Sequence, residues 1–236
     1  MASLEGTQPR GAWLAGASRA LPIVLGYVPI GFATGVLAQK AGLSTFNTVA
    51  MSLLVYAGSS QLIAVGLFGA GAPALSIVVT TFVVNLRHLL LSAAIAPKLK
   101  GWRRREVVAF AYELTDETFA VHAADPARRL GRRAALAMNL TAQASWIFGT
   151  WLGVVAGQAI RDVRPFALDY ALPAMFIALL LMQIKDRVQV GVAVLTGVLS
   201  VGLLLAGLDQ WAVIAATVIG ATVGLGVETW INGRSS

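Results

Sequence analysis

The sequence contains no cysteine. Disulfide scaffolds, thiolate metal centres and cysteine nucleophiles are thereby excluded. Histidine is almost as scarce. His88 and His122 lie far apart in sequence, so a zinc site would need carboxylates to complete it, and neither a metal nor a cofactor is expected. Charge is scarce too: Asp, Glu, Lys and Arg make up 12% of the chain against 57% hydrophobic residues. That balance belongs to a polytopic membrane protein rather than a soluble domain. A net charge of +7 in a soluble protein would suggest nucleic acid. Here the basic residues cluster beside apolar runs, at 98–105 and 128–133, a pattern of positive-inside topology and contact with anionic lipid. The expected environment is the lipid bilayer, with no nucleic acid partner. No catalytic carboxylate pair or nucleophile–base motif stands out, and only force would make one of Ser59 and His88, so no enzyme is expected.

What the chain has instead is length without charge. Residues 41–86 carry none. Gly69-Ala70-Gly71-Ala72-Pro73 interrupts this run, since glycine and proline break helices readily. Two spans are predicted, over 46–68 and 73–97. An earlier uncharged run over 20–39 follows Arg19; Pro22, Pro29 and its length fit a span better than a signal peptide. Pro22, Gly26, Pro29, Gly31 and Gly35 within it predict one of two things. Either the helix is kinked or unwound and exposes backbone to a substrate, or the glycines are a close-packing surface. Further spans are expected over 134–160, 166–184, 188–208 and 210–227, with Gly220, Gly224 and Gly226 as packing positions and Trp211 and Trp230 at the interfaces.

The fold class is therefore all-α. It is a membrane bundle of six or seven spans with kinked or broken helices, forming one domain over 20–230 between tails at 1–19 and 231–236. Residues 107–123 are the exception. Were they to cross, the two basic clusters would face opposite sides, so a re-entrant or surface-lying helix is predicted. The charge distribution favours an external amino terminus and a cytoplasmic carboxyl terminus, which leaves Arg10 and Arg19 on the less favourable side.

Polar residues inside membrane segments are costly and mark a pathway or site by default. The second span carries Tyr56-Ala57-Gly58-Ser59-Ser60-Gln61, and the third carries Asn85, Arg87 and His88. Thr81, Asn85, His88 and Ser92 share one helical stripe while Thr80 and Arg87 lie on another, so at least one face meets protein or a water-filled cavity. Glu113, Asp116 and Glu117 form one acidic stripe, able to pair with nearby arginines or to accept a proton. These positions predict a transporter whose site lies between the second and third spans. A passive channel would use similar residues but show no saturable counterflow.

Several blocks, in order, resemble the AzlC family of bacterial branched-chain amino acid exporters. They are Pro29-Ile30-Gly31-Phe32-Ala33-Thr34-Gly35, Gly42-Leu43-Ser44, Tyr56 to Gln61, and Asn85-Leu86-Arg87-His88. Asp116-Glu117-Thr118-Phe119 and Leu172-Pro173-Ala174-Met175-Phe176 follow. The resemblance covers about residues 18–210. It implies efflux of leucine, isoleucine, valine or close analogues across the bacterial inner membrane, driven by the proton gradient. It also implies a small AzlD-type membrane subunit as partner; uptake in place of efflux stays open. A zwitterionic substrate needs donors for its carboxylate and acceptors for its ammonium. Ser59, Ser60 and Gln61, with backbone near Pro29, Gly31, Gly35, Tyr56 and Gly58, are the expected head-group site, and Arg87 or Asn85 assists the carboxylate. His88, Asp116 and Glu117 are the candidates for proton coupling.

Overall fold

The computed structural model describes residues 9–125, 131–160 and 186–233, with Tyr170, Ile177, Leu180, Leu181 and Ile184 as isolated positions between them. The chain divides into two compact units, Met1–Met175 and Phe176–Ser236. Every regular element among the described residues is helical, as the all-α expectation requires. Among the described residues, three stretches are long and apolar enough to cross a membrane: Leu21–Lys40, Ala74–Leu99 and Arg187–Leu208. Most of the span expected over 166–184, including the block at 172–176, lies outside the described residues.

The first unit is built on two parallel helices, α2 (Leu21–Lys40) and α9 (Arg132–Gly157). Gly31 and Gly35 recur four residues apart on α2, as Gly149 and Gly153 do on α9, so each pair shares one face. A methyl group at Gly31 would stand 3.0 Å from the Trp146 carbonyl oxygen, and one at Gly149 2.6 Å from that of Val28. At Gly35 and Gly153 it would press into the carbonyls of Thr150 and Phe32. Paired small residues let two backbones touch where any side chain would hold them apart. The glycines of α2 are thus its packing surface. The helix runs unbroken through Pro29, which sits on its exposed side. Part of the expected polar tail forms α1 (Pro9–Arg19), whose Gly16 abuts the Ala134 carbonyl of α9.

The interrupted helices lie elsewhere. In place of a second span the chain forms α3 (Thr45–Leu54) and α4 (Gly58–Gly69), of 10 and 12 residues. A membrane crossing takes about 20 residues, so neither helix suffices alone, and the two fold back on each other. Gly69 returns to within 3.3 Å of the Ala41 side chain (measured from the Cβ it lacks), beside the carboxyl end of α2. The turn at 55–57 reaches the middle of α9, where Ser52 donates to Thr150 and Trp146 donates to Gln61. Next come α5 (Ala74–Asn85) and α6 (Arg87–Ile95), one run kinked at Leu86 and antiparallel to α2.

A second hairpin enters from the opposite end: α7 (Arg104–Tyr112) and α8 (Asp116–Ala124). Its outer ends are pinned near the start of α9. Glu106 lies 3.5 Å from Arg132. Lys98 caps the carboxyl end of α8 through the carbonyls of His122, Ala123 and Asp125 at 2.9, 3.1 and 2.6 Å. The contacts describe a helical hairpin where the sequence predicts a single re-entrant or surface-lying helix.

The hairpin of α3 and α4 changes the parity of the chain. Arg19 pairs with Asp125 at 3.0 Å, which places the amino-terminal charge at the same end as Lys98, Arg103–Arg105 and Arg132–Arg133. The expected separation of Arg19 from the basic clusters is thus corrected. It assumed that 46–68 cross, and they do not.

The second unit contains α10 (Arg187–Leu203), a π-helical turn (Leu204–Leu208) and α11 (Asp209–Gly233). Asp186 caps α10 by accepting the Gln189 amide at 2.9 Å. Gly220 and Gly224 receive Thr196 and Val192 from the antiparallel α10, as packing positions should, whereas Gly226 faces open space.

The α2–α9 contact yields a direct test. Gly35→Ala should lower thermal stability by about 1–3 kcal/mol, the range for overpacked sites. Gly66→Ala, with nothing within 4 Å of the added methyl, should leave it unchanged or raise it slightly. Unfolding curves of both variants in detergent measure the difference.

Candidate functional site

The two hairpin turns and the α5–α6 kink meet at one side chain. Arg87 opens α6 just past the kink, and its guanidinium reaches both hairpins. Nη2 donates to Ser59 Oγ at 2.6 Å, and Nη1 pairs with Asp116 Oδ2 at 2.7 Å. Ser59 belongs to the first turn of α4 and Asp116 to the first turn of α8. Both helices point their amino ends, the positive ends of their dipoles, at this place from opposite directions. A planar guanidinium with several fixed donors can hold two partners at once, which a point-charge ammonium does poorly. The side chains of Arg87 and Asp116 keep 28% and 20% of their surface.

Two polar atoms beside the kink are buried without a partner: Arg87 Nε and Asn85 Oδ1. One is a donor and one an acceptor, two positions apart in the chain. Buried groups of this kind cost about 1–3 kcal/mol each when nothing satisfies them. His88 lies beside the cluster, its Nδ1 3.2 Å from the Asn85 carbonyl oxygen.

A second cluster ties the hairpin turns to α2. The Tyr27 hydroxyl donates to Glu117 Oε2 at 2.6 Å and lies 2.7 Å from Thr115 Oγ1. Thr115 caps α8, exchanging backbone-to-side-chain bonds with Thr118. The Tyr27 ring meets Tyr56 and Trp146 edge-on, with centroids 6.4 and 5.4 Å away. Tyr56 takes a positive φ of 43° in the first hairpin turn, a conformation that side chains rarely adopt. Its own hydroxyl is buried without a partner. The hydroxyl of Tyr112 bonds the Leu53 carbonyl, joining one hairpin turn to the other.

Gln61 occupies a different position. It is 1% exposed, and both ends of its amide are used. Trp146 donates to its oxygen and it donates to Ser52 Oγ, each at 3.0 Å. Ser52 donates to Thr150 at 3.1 Å, and Thr150 returns to the Trp146 carbonyl at 2.8 Å. This closed ring fixes the first hairpin to α9. Gly58 belongs to the same wall, since a methyl group there would lie 2.9 Å from the Trp146 ring. Ser60 is fully buried and bonds the Ala57 carbonyl at 3.0 Å.

Of the positions expected to form the site, the structure joins Ser59, Arg87 and Asp116 directly, and Asn85 flanks them across the kink. Tyr56 and Glu117 both adjoin Tyr27. Gly31, Gly35, Gly58 and Gln61 serve the packing around α9, and Pro29 faces outward. Sequence reasoning missed Tyr27, Thr115 and Ser52, whose partners are distant in the chain. Glu113 was noticed only as part of the acidic stripe. It lies in the turn of α7–α8, outside the spanning segments, with Oε2 buried and unpartnered. Burial pushes its carboxyl up to about 7.

Two outcomes follow from these arrangements. Trp146→Phe removes the donor to the Gln61 oxygen and should cost about 1–3 kcal/mol of stability, read by thermal unfolding. Glu113 binds its proton more tightly in the folded chain than in the unfolded one, where the ordinary value is 4.5. The resulting stabilisation is complete below pH 4.5 and is lost as pH rises through about 7. Glu113→Gln should flatten the fall in stability over that window, measured by unfolding at stepped pH.

Comparison with known proteins places this arrangement. Residues 22–160 match the AzlC protein family. An uncharacterized membrane protein of Archaeoglobus fulgidus is 38% identical over 204 residues, which is 84% of this chain and 88% of that protein. The inner membrane protein YgaZ of Escherichia coli is 29% identical over 226 residues, 92% of this chain and 91% of its own length. The branched-chain amino acid transport protein AzlC of Bacillus subtilis is 25% identical over 203 residues, covering 84% and 79%. No solved structure matches the chain. The matched region holds both hairpins, the α5–α6 kink and the α2–α9 contact, and the chain is a multi-pass membrane protein of the AzlC family.

Proposed function

We propose that this protein exports branched-chain amino acids across the bacterial inner membrane, with Arg87 and its neighbours as the head-group site and the proton gradient as the driving force. The observation that carries the reading is the pair of unpartnered groups at the α5–α6 kink, Arg87 Nε and Asn85 Oδ1, beside the part-exposed Arg87–Asp116 pair. A zwitterion offers the complement of both. Its carboxylate takes Arg87 Nε–H, aided by Ser59 and the uncapped amino end of α4. Its ammonium takes Asn85 Oδ1 and the Asp116 carboxylate. The resting ion pair is then replaced by two ion pairs made through the substrate, so binding leaves no charge stranded. The relative named as a branched-chain amino acid transport protein supports leucine, isoleucine and valine as the class.

The end carrying Arg19, Lys98 and Arg132 faces the cytoplasm on the positive-inside rule. The two hairpins then approach the site from opposite sides of the membrane, which suits alternating access to one fixed site. A small AzlD-type membrane subunit completes the transporter. Helix α5 has room for it, since none of its residues is buried within the chain.

Arg87→Ala should abolish resistance to toxic leucine analogues in growing cells and stop efflux of labelled leucine, while the protein still accumulates in the membrane. Arg87→Lys should fall short of wild type by about tenfold or more, because losing one charge-assisted bond of about 1.5–3 kcal/mol costs at least that. Efflux with and without the small subunit tests the partner. Wild-type efflux from Arg87→Ala would overturn the site, and flux without saturable counterflow would make the protein a channel.

A further inference from the structure

We propose that Glu113 is the proton-binding group of this protein, the carboxyl in the α7–α8 turn that loads and unloads one proton per transport cycle. The inference rests on the transport reading above and names a residue for its coupling step. The expected coupling candidates are already engaged. Asp116 is paired with Arg87 at 2.7 Å, Glu117 accepts from Tyr27 at 2.6 Å, and His88 lies against the Asn85 carbonyl at 3.2 Å. Glu113 differs. Its Oε2 is buried with no hydrogen-bond partner, and no arginine or lysine pairs with it among the described residues. A carboxylate with one oxygen shielded from water and no cation beside it favours its neutral, protonated form. Burial accordingly raises its affinity for protons.

Position makes that proton useful. Glu113 ends α7 and opens the three-residue turn that carries Thr115 and leads into Asp116. Its flanking residue Tyr112 bonds Leu53 of the other hairpin, and Thr115 bonds Tyr27 of α2. The titratable and charged groups on the surrounding elements include Tyr27 from α2, Tyr56 from the α3–α4 turn, Arg87 and His88 from α6, and Tyr112, Asp116 and Glu117 from its own hairpin. Tyr56 is near enough to feel the charge of Glu113, and its hydroxyl is likewise unpartnered. With the proton on, the turn is neutral at this position and the two hairpin tips stay together. With it off, a bare carboxylate sits against the buried aromatic cluster and favours separation of the tips, exposing the carboxylate to water. The step moves one proton onto and off one oxygen, with no other bond made or broken.

Two measurements on the whole protein in lipid test this. Infrared difference spectra of the purified protein across neutral pH should show one protonated carboxyl titrating, and Glu113→Gln should abolish that band. In proteoliposomes, Glu113→Gln should keep leucine–leucine exchange at the wild-type rate while losing accumulation of leucine driven by a pH gradient. Glu113→Asp should retain gradient-driven accumulation to a reduced extent. A band that persists in Glu113→Gln, or gradient-driven accumulation equal to wild type in that variant, overturns the proposal. If the band vanishes in Glu113→Gln but wild-type protein exchanges no leucine, the proton site stands and the substrate reading fails instead.

Discussion

The backbone contact between α2 and α9 is the constraint on which the rest of the first unit depends. Four glycines allow the two helices to touch along about two turns, with carbonyls where side chains would otherwise stand. That closeness sets Tyr27 and Trp146 ring to ring at 5.4 Å and gives both hairpins something rigid to dock on. The closed ring through Trp146, Gln61, Ser52 and Thr150 then fixes one hairpin, and the Tyr27–Thr115–Glu117 bonds fix the other. Hydrophobic burial alone does not distinguish helix from lipid inside a membrane, so close van der Waals contact and buried hydrogen bonds must carry specificity.

On that frame the functional groups divide by exposure. Gln61 and Ser60 are dry and their bonds are closed within the chain, so they hold shape. Arg87 and Asp116 retain surface, and Arg87 together with Asn85 retains unmet bonding capacity. Buried polar groups are kept at a cost in stability, and here that cost is concentrated at the joints of interrupted helices.

Much of the fold was legible in the sequence, and the reasons for the rest are physical. The glycine-rich break at 69–73 followed from residues that break helices, and the separate character of 107–123 from charge placement, whereas the kink at Leu86, with no glycine or proline beside it, did not. Nor did the return of α3 and α4. Hydropathy scores an uncharged run alike whether it crosses or doubles back, and Tyr56-Ala57-Gly58 has no proline to announce the turn. That one misreading also put Arg19 on the wrong side. In the site, Arg87 and Ser59 were visible as polar groups in apolar surroundings. The role of Gln61 was not, because its partner Trp146 lies 85 positions away. Glu113 stood out less than Asp116 and Glu117, since isolation from partners is a property of the folded chain alone.

The opposed amino ends of α4 and α8 carry a consequence for ionic leakage. Each helix contributes roughly half a positive charge at its tip, and the guanidinium of Arg87 sits between them. Two of the nearby carboxylates are occupied, Asp116 by that guanidinium and Glu117 by Tyr27. A sodium or potassium ion entering from either side would meet rising positive potential while Glu113, the unpartnered carboxyl of the same turn, keeps its proton. A membrane potential worth about 2.3 kcal/mol per charge for each 100 mV constantly invites such entry. The same positive geometry at the kink thus resists cation leakage and spares the cell's voltage.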